Sequence, residues 1–261
     1  MRAGFAILLL SALPGAAGDL AEIKQRGALR VLGVVDDKEP EFFSLKSQAS
    51  PGFDVEILMG FAKAHKVELK VLPATGWAAL VAALLEGKGD VIAGRFNATP
   101  QRRRVIDFTS EVFPTRTVVV TRKPHVGVRT LEELKAERIG TIAGTGMYEA
   151  LLAAEIPPNK IDNSLDSGQL SDTLRSGKIS AAAWWLEGAM QAQRRDPDLS
   201  LGLVLGPPES LSYGVRREDQ ALLAALNDHL QVVRSSGTWN RLAIKYFGDA
   251  TPAILKKARA E

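Results

Sequence analysis

The sequence has no cysteine in its 261 residues, which excludes disulfide bonds, thiolate metal ligands and a lipid-modified cysteine. Aromatic residues make up only 6%, and the net charge is only +3. The basic residues are dispersed rather than arranged in a stripe, so we predict no nucleic-acid partner. The histidines His65, His125 and His229 are far apart and lack a neighbouring ligand pattern, so we predict no metal site and no cofactor.

Long hydrophobic runs are also missing at the N-terminus. The apolar segment from Phe5 to Leu13 is well below the ~20 residues that a membrane-spanning helix needs. It follows one positive charge, Arg2, and precedes a run of small residues, which is typical of a secretory signal peptide. We therefore predict residues 1–18 as a cleaved signal and the mature protein as periplasmic or secreted.

Apolar strand-like segments alternate with amphipathic helical segments along the rest of the chain. The segments 91–93 and 179–183 are short and apolar, and 67–72 is a further predicted strand, which together predict parallel strands covered by helices. Thr130 opens a capping box that predicts one of the helices between them. The sequence therefore predicts an α/β fold.

Two segments of the chain resemble each other. Residues 84–93 and 173–183 each combine a helix end, a Gly-Lys turn and a buried strand. Two lobes of similar construction would explain the repeat, although a common helix–turn–strand connection can also arise twice. Because ligands bind at the carboxyl ends of strands in open α/β sheets, the repeat predicts that residues 94–95 and 184–185 face one cleft.

The loop from Gly94 to Arg102 ends at a predicted helix start. Thr99 is the expected N-cap and Pro100 the first helical residue, so free backbone N–H groups gather there. Arg102 adds a fork-shaped positive charge that matches a carboxylate. We predict an anion site around Arg102 and a solvated helix face for the two arginines that follow it.

Five motifs occur in order along nearly the whole mature chain. They are Gly27-Ala28-Leu29-Arg30-Val31, Gly52-Phe53-Asp54-Val55-Glu56, Gly87-Lys88-Gly89-Asp90-Val91-Ile92-Ala93-Gly94, Thr99-Pro100-Gln101-Arg102 with Asp107-Phe108-Thr109, and Ser236-Gly237-Thr238-Trp239 running to Tyr246-Phe247-Gly248. In this order the chain resembles the bacterial extracellular solute-binding protein family 3, the receptors of polar amino-acid ABC transporters.

The resemblance implies the type II periplasmic binding protein fold, in which two α/β lobes are joined by two crossover strands and close on a ligand. Lobe 1 would comprise residues 19–114 and 212–261, the latter with the C-terminal helices, and lobe 2 residues 115–211. The implied partners are a small carboxylate or amino acid and an ABC permease in the inner membrane. We also expect a monomer.

Individual site residues follow from the same resemblance. Arg102 falls on the arginine that clamps the ligand α-carboxylate in this family. Trp77 falls where an aromatic ring often covers the ligand side chain, and Asn97 where a small hydroxyl residue often meets the ligand amine. Thr145 and Gly146 match the loop of the second lobe that donates backbone N–H groups to the carboxylate.

Two positions depart from the family pattern. Trp185 occupies the place of the aspartate that usually pairs with the ligand ammonium, and Arg95, after Gly94, stands where glycine or serine is common. The ligand would then be a carboxylate without a free amine, an acidic amino acid, or a larger molecule that stacks on aromatic rings. Core packing is the alternative for one of Trp184 and Trp185, and a surface ion pair for Arg95. Asp36, after the first strand, is a further candidate to meet a cationic group.

We therefore expect a periplasmic protein, and not an enzyme, that captures an amino-acid-like carboxylate for ABC-transporter uptake. One alternative is an enzyme on the same fold, similar to a cyclohexadienyl or arogenate dehydratase, with Glu149 as general acid. The simpler interpretation of Glu149 is a first-turn glutamate favoured by the helix dipole. A solute-sensing receptor is the other alternative.

Overall fold

The computed structural model describes residues 19–35, 40–44, 49–125 and 127–260. The strands are β1 (Ala28–Gly33), β2 (Glu68–Pro73), β3 (Val91–Ile92), β4 (Asp107–Phe108), β5 (Phe113–Arg122), β6 (Ile139–Gly140), β7 (Ile161–Asp162), β8 (Ala181–Trp185), β9 (Leu199–Leu211) and β10 (Gly214–Val215). The α-helices are α1 (Leu20–Arg26), α2 (Phe53–Ala64), α3 (Ala79–Leu85), α4 (Pro100–Arg103), α5 (Leu131–Ala136), α6 (Gly146–Ala153), α7 (Ser167–Arg175), α8 (Leu186–Arg195), α9 (Gln220–Ser235), α10 (Thr238–Phe247) and α11 (Thr251–Arg259). The predicted signal peptide lies outside the described residues.

The first sheet has the strand order β2-β1-β3-β10-β4, and we call the elements around it lobe 1. β1 pairs in parallel with β2 and β3, as the apolar runs predict. β10 pairs antiparallel with β3 and β4, because the chain returns to this sheet from the opposite direction. The sheet is therefore mixed rather than wholly parallel.

The second sheet has the order β7-β6-β8-β5-β9, and we call the elements around it lobe 2. β6 pairs in parallel with β7 and β8, whereas β5 pairs antiparallel with β8 and β9. The β5–β9 pairing runs from Phe113 opposite Leu211 to Arg122 opposite Leu199. These two long strands leave and re-enter lobe 1, which confirms the two crossover strands.

Two elements differ from the sequence predictions. β8 continues to Trp185, beyond the predicted end at Ala183, and α8 begins directly after it. The basic sequence of the C-terminal segment predicts a surface or frayed helix, but the segment forms α11, in which Ile254 and Ala258 are fully buried. α11 packs against β5 and α8, so it covers a crossover strand as well as lobe 2.

Candidate functional site

The loop after β3 is held by a buried carboxylate. Asp54, in the first turn of α2, accepts hydrogen bonds from the backbone N–H groups of Gly94 at 2.9 Å and Arg95 at 3.3 Å. The Tyr213 hydroxyl lies 3.3 Å from its other oxygen. Burial raises the pKa of Asp54 to about 7 despite these bonds. Gly94 and Arg95 have φ angles of +86° and +58°, so Asp54 stabilises a left-handed turn that buries the Arg95 side chain.

Arg102 lies in the first turn of α4. The Thr99 hydroxyl accepts a hydrogen bond from the backbone N–H of Arg102 at 3.4 Å, and Pro100 is the first residue of the helix. Both observations confirm the predicted N-cap. The guanidinium is buried and lies over the Phe96 ring, 4.0 Å from its centroid. Packing on the ring fixes the direction in which the guanidinium points.

The Arg102 guanidinium reaches from lobe 1 to lobe 2. Its Nη1 donates to the Asn97 carbonyl oxygen at 2.8 Å and to Asn97 Oδ1 at 2.5 Å, and its Nη2 donates to the Gly144 carbonyl oxygen at 2.6 Å. Burial lowers its pKa to about 10, while the negative charges of Glu149 and Glu209 act in the opposite direction. The group is therefore charged at neutral pH, yet its hydrogen-bond acceptors are neutral oxygens.

The loop between β6 and α6 forms the opposite wall. Thr145 is the N-cap of α6, and its hydroxyl accepts from the Tyr148 N–H at 3.4 Å and donates to the Ile142 carbonyl at 2.7 Å. A Cβ on Gly146 would lie 1.8 Å from Asn97 Nδ2, and one on Gly144 would lie 2.8 Å from the backbone nitrogen of Ala78. The two lobes are therefore in contact, and only glycines allow this approach.

Asn97 also connects the arginine to a carboxylate. Its Nδ2 donates to Glu209 Oε2 at 2.7 Å, while its oxygens accept from Arg102. Glu209 lies on the crossover strand β9, opposite Thr115 of β5. Burial raises the pKa of Glu209, and the negative charge of Glu149 adds to this effect. Arg102, Asn97 and Glu209 thus form one hydrogen-bonded chain across the cleft.

A second buried carboxylate, Glu187, lies near the N-terminus of α8. Its Oε2 accepts a hydrogen bond from the Thr115 hydroxyl at 2.5 Å. Burial raises its pKa to about 7, the nearby positive charge of Arg95 lowers it, and the negative charge of Glu209 raises it. Arg95 of lobe 1 is therefore close enough to interact electrostatically with Glu187 of lobe 2.

The structure brings most of the predicted site residues together. Arg102, Asn97 and Gly146 lie where the two lobes meet, and Thr145 caps the helix that begins at Gly146. Arg95 of lobe 1 lies within electrostatic reach of Glu187 of lobe 2. Gly94 bonds to Asp54 within lobe 1, and Trp185 pairs with Thr117 within the lobe 2 sheet. Trp77 is buried in the hydrophobic cluster that spans both lobes, next to Ala78. Asp36 lies outside the described residues. The ligand-binding roles of all these residues remain predictions.

Sequence reasoning missed Glu187, Glu209 and the role of Asp54. For Glu187 a signal existed, because the two tryptophans favour strand structure and extend β8 to Trp185. Glu187 then follows the end of the strand by two residues, in the first turn of α8. Glu209 follows two prolines and has no periodic pattern around it, so only the pairing of β9 with β5 reveals its position.

A groove of about 1040 Å³ lies next to the contact between Asn97, Gly146 and Glu209. Gly146, Glu149 and Glu209 are among its lining residues, and the exposed side chains of Leu152 and Val204 add apolar surface. The negative charge of Glu149 contributes to raising the pKa of Glu209. The groove therefore combines two carboxylates with apolar walls.

In the described ranges, no three or more His, Asp or Glu side chains gather in a way that could hold a metal ion. His65 and His229 both pack against Phe61, and burial lowers the pKa of each. Within the same ranges, no helix has the length and apolar character needed to cross a membrane.

Two α/β lobes that meet at a buried arginine, with two crossover strands between them, define a two-lobe binding-protein architecture. Residues 31–249 match the family described as bacterial extracellular solute-binding proteins, family 3, and the chain belongs to this family. The resemblance seen in the five motifs is thereby confirmed.

Similar proteins support the same fold. A "Probable amino-acid ABC transporter-binding protein" from Haemophilus influenzae is 25% identical over 235 residues, covering 89% of this chain and 90% of that protein. A mutant of ArgBP from T. maritima has a crystal structure that matches with a TM-score of 0.80 and 27% identity, covering 88% of this chain and 99% of that one. The ancestral amino acid-binding protein AncCDT-1, a precursor of cyclohexadienyl dehydratase, matches with a TM-score of 0.77 and 25% identity, covering 87% and 99%. These neighbours have the type II periplasmic binding protein fold.

Proposed function

We propose that this protein captures a small, carboxylate-bearing, amino-acid-like solute between its lobes in the periplasm and delivers it to an ABC permease. The observation that carries the proposal is the Arg102 guanidinium, which is buried, charged and bonded only to neutral oxygens among the described residues. A ligand carboxylate would replace these neutral acceptors with a charge-assisted, two-pronged pair. The names of the similar proteins, which refer to amino acids and to ABC transport, support the same ligand class.

The contacts between the lobes also support ligand capture. Arg102 bonds to Gly144 across the cleft, and Asn97 of lobe 1 bonds to Glu209 of the crossover strand. A molecule that binds Arg102 and the α6 loop together would add contacts that only the closed form provides. Such a ligand shifts the equilibrium towards closure by its preference for the closed state.

The first test is ligand identification by mass spectrometry of whatever copurifies, followed by thermal denaturation with a panel of L-amino acids. A ligand at a hundred times its dissociation constant stabilises the protein by about 2.7 kcal/mol.

Arg102→Ala should weaken binding at least about 30-fold, since truncating one partner of a buried charge pair costs roughly 2–5 kcal/mol.

Arg241→Ala is the matched control, because Arg241 is an exposed arginine on α10. It is distant in the sequence from Arg102 and from the α6 loop. Its affinity should equal that of the unmodified protein. Equal affinity in the Arg102→Ala protein would remove Arg102 from the site and contradict the proposed mode of binding.

An enzymatic function is the second candidate, and the presence of Glu149 and Glu209 in one groove favours it. Burial and the charge of Glu149 raise the pKa of Glu209, which is the direction needed for a general acid. Turnover of prephenate or arogenate, followed by absorbance, should then depend on Glu209 or Glu149. Binding of either compound without turnover would contradict the enzymatic function.

A further inference from the structure

One oxygen of the Glu187 carboxylate is buried without a hydrogen-bond partner among the described residues. Glu187 Oε2 accepts from Thr115, but Oε1 has no such donor. The residue is only 1% exposed, so bulk water does not solvate the orphan oxygen. An unmet acceptor on a buried carboxylate is costly, and this position is therefore suited to a donor from a bound molecule.

The indole N–H of Trp185 is a second buried polar group without a partner in the described part of the chain. Trp185 of β8 lies directly opposite Thr117 of β5, and Thr115 is two residues away from Thr117. Thr115 is the donor to Glu187, so β5 contacts both the last residue of β8 and the first turn of α8. An unpartnered donor and an unpartnered acceptor thus lie two residues apart in the chain.

The charges around Glu187 favour a cation there. The groups that interact with it electrostatically are Arg95 from the lobe 1 loop and Glu209 from β9, while Thr115 of β5 is its hydrogen-bond donor. The pKa of Glu187 remains raised despite the positive charge of Arg95, because burial and Glu209 outweigh it. Arg95 therefore compensates only part of the negative charge, and a second positive group would stabilise the ionised carboxylate.

We infer that Glu187 and Trp185 form a subsite for a protonated amine of the ligand, with Glu187 Oε1 accepting from the ammonium and the Trp185 indole N–H donating to a neighbouring ligand oxygen. The inference rests on the proposed function, in which the carboxylate of the same ligand binds Arg102. Glu187, the second residue of α8, then takes the role of the aspartate that the family resemblance places at position 185. In this arrangement the ligand carries a free amine.

The test compares amino acids with analogues in which a hydroxyl replaces the α-amine. The pairs are L-alanine and L-lactate, L-phenylalanine and L-phenyllactate, and L-arginine and its α-hydroxy analogue, each titrated calorimetrically into the mature protein. The subsite predicts that the amino acid of a binding pair binds at least about tenfold tighter, as expected for a charge-assisted hydrogen bond. If the hydroxy analogue of arginine retains its affinity and loses it in Glu187→Gln, Glu187 binds a side-chain cation of the ligand, and the assignment of Glu187 to the α-amine is overturned.

Glu187→Gln should equalise the two members of a pair, and Glu187→Asp should restore part of the preference. Glu132→Gln, at an exposed glutamate of α5, is the control and should leave the preference unchanged. Equal binding of both members to the unmodified protein, or an undiminished preference in a folded Glu187→Gln protein, overturns the subsite while the carboxylate site stands. If no member of any pair binds and no amino acid copurifies, the proposed function itself fails.

Discussion

The Arg102 guanidinium donates a hydrogen bond to the Gly144 carbonyl oxygen at 2.6 Å, and this bond joins lobe 1 directly to lobe 2. Gly144 has a φ of +71° and lies against the backbone of Ala78, so the carbonyl is held in place by a close contact between the lobes. The arginine proposed to bind the ligand therefore also contributes to closure. Ligand affinity and lobe closure should accordingly change together when this interface is altered.

Gly146→Ala should weaken closure and ligand binding together. The added methyl group would lie 1.8 Å from Asn97 Nδ2 and 2.9 Å from Glu209 Oε2, so the closed interface has to separate. Overpacking of this kind costs roughly 1–3 kcal/mol. We expect a larger radius of gyration by small-angle X-ray scattering and weaker binding.

The control for this substitution is Gly76→Ala, because a Cβ on Gly76 would meet no atom within 4 Å. It should leave both the radius of gyration and the affinity unchanged. A Gly146→Ala protein that behaves like Gly76→Ala would show that closure does not depend on the contact of Asn97 with residue 146.

Asp54→Asn should flatten the dependence of stability on pH between about pH 4 and pH 7. The pKa of Asp54 is raised from 3.8 to about 7 in the folded protein, so the folded state holds a proton that the unfolded state has lost. The free energy of unfolding therefore decreases as pH rises through this window, by up to about 1.4 kcal/mol per pH unit for one group. The Asn carbonyl oxygen can still accept from Gly94 and Arg95.

Urea unfolding at pH 5, 6, 7 and 8, followed by tryptophan fluorescence, measures this slope. Glu187, whose pKa is also raised to about 7, contributes in the same direction, so Asp54→Asn should reduce the slope rather than abolish it. Asp228→Asn alters an exposed residue and should keep the original slope. An unchanged slope in Asp54→Asn would mean that Asp54 is ionised throughout the window.

Asp219→Ala should destabilise lobe 1 strongly. Asp219 and Arg216 are each 2% exposed and form an ion pair with a 2.6 Å distance between Nη2 and Oδ2. Breaking a buried pair by removing one partner costs roughly 3–5 kcal/mol, because the other charge remains buried. Glu218→Ala, at the exposed neighbouring position, is the control, and similar unfolding free energies for the two variants would contradict the prediction.

Ile254→Ala should show that α11 is part of the folded core. Ile254 is fully buried, and the loss of a core isoleucine side chain costs roughly 2–5 kcal/mol. Ile244→Ala on α10 removes the same atoms from a residue that is 60% exposed, so its unfolding free energy should change little. Chemical denaturation measures the unfolding free energies of both variants. Equally small changes in the two would show that α11 is not part of the folded core.

Much of the fold follows from local patterns in the sequence. The N-cap at Thr99, the capping box at Thr130 and the helix end at Gly27 are short-range signals, because each depends on residues within one helical turn. The parallel core of lobe 1 follows from apolar runs that alternate with helices. The sequence analysis does not predict α8, and it ends the preceding strand at Ala183, whereas β8 continues to Trp185 and α8 begins at Leu186.

The sequence by itself therefore determined many of the elements, the family and the place of Arg102 at a helix start, since these depend on local spacing and on ordered motifs. Only the tertiary structure decided what surrounds that arginine. Asp54, Glu187 and Glu209 are distant from Arg102 in the chain, and strand pairing and lobe contact bring them to the same cleft. Burial then changes their acidity, and burial is a property of the packed protein that no local pattern encodes.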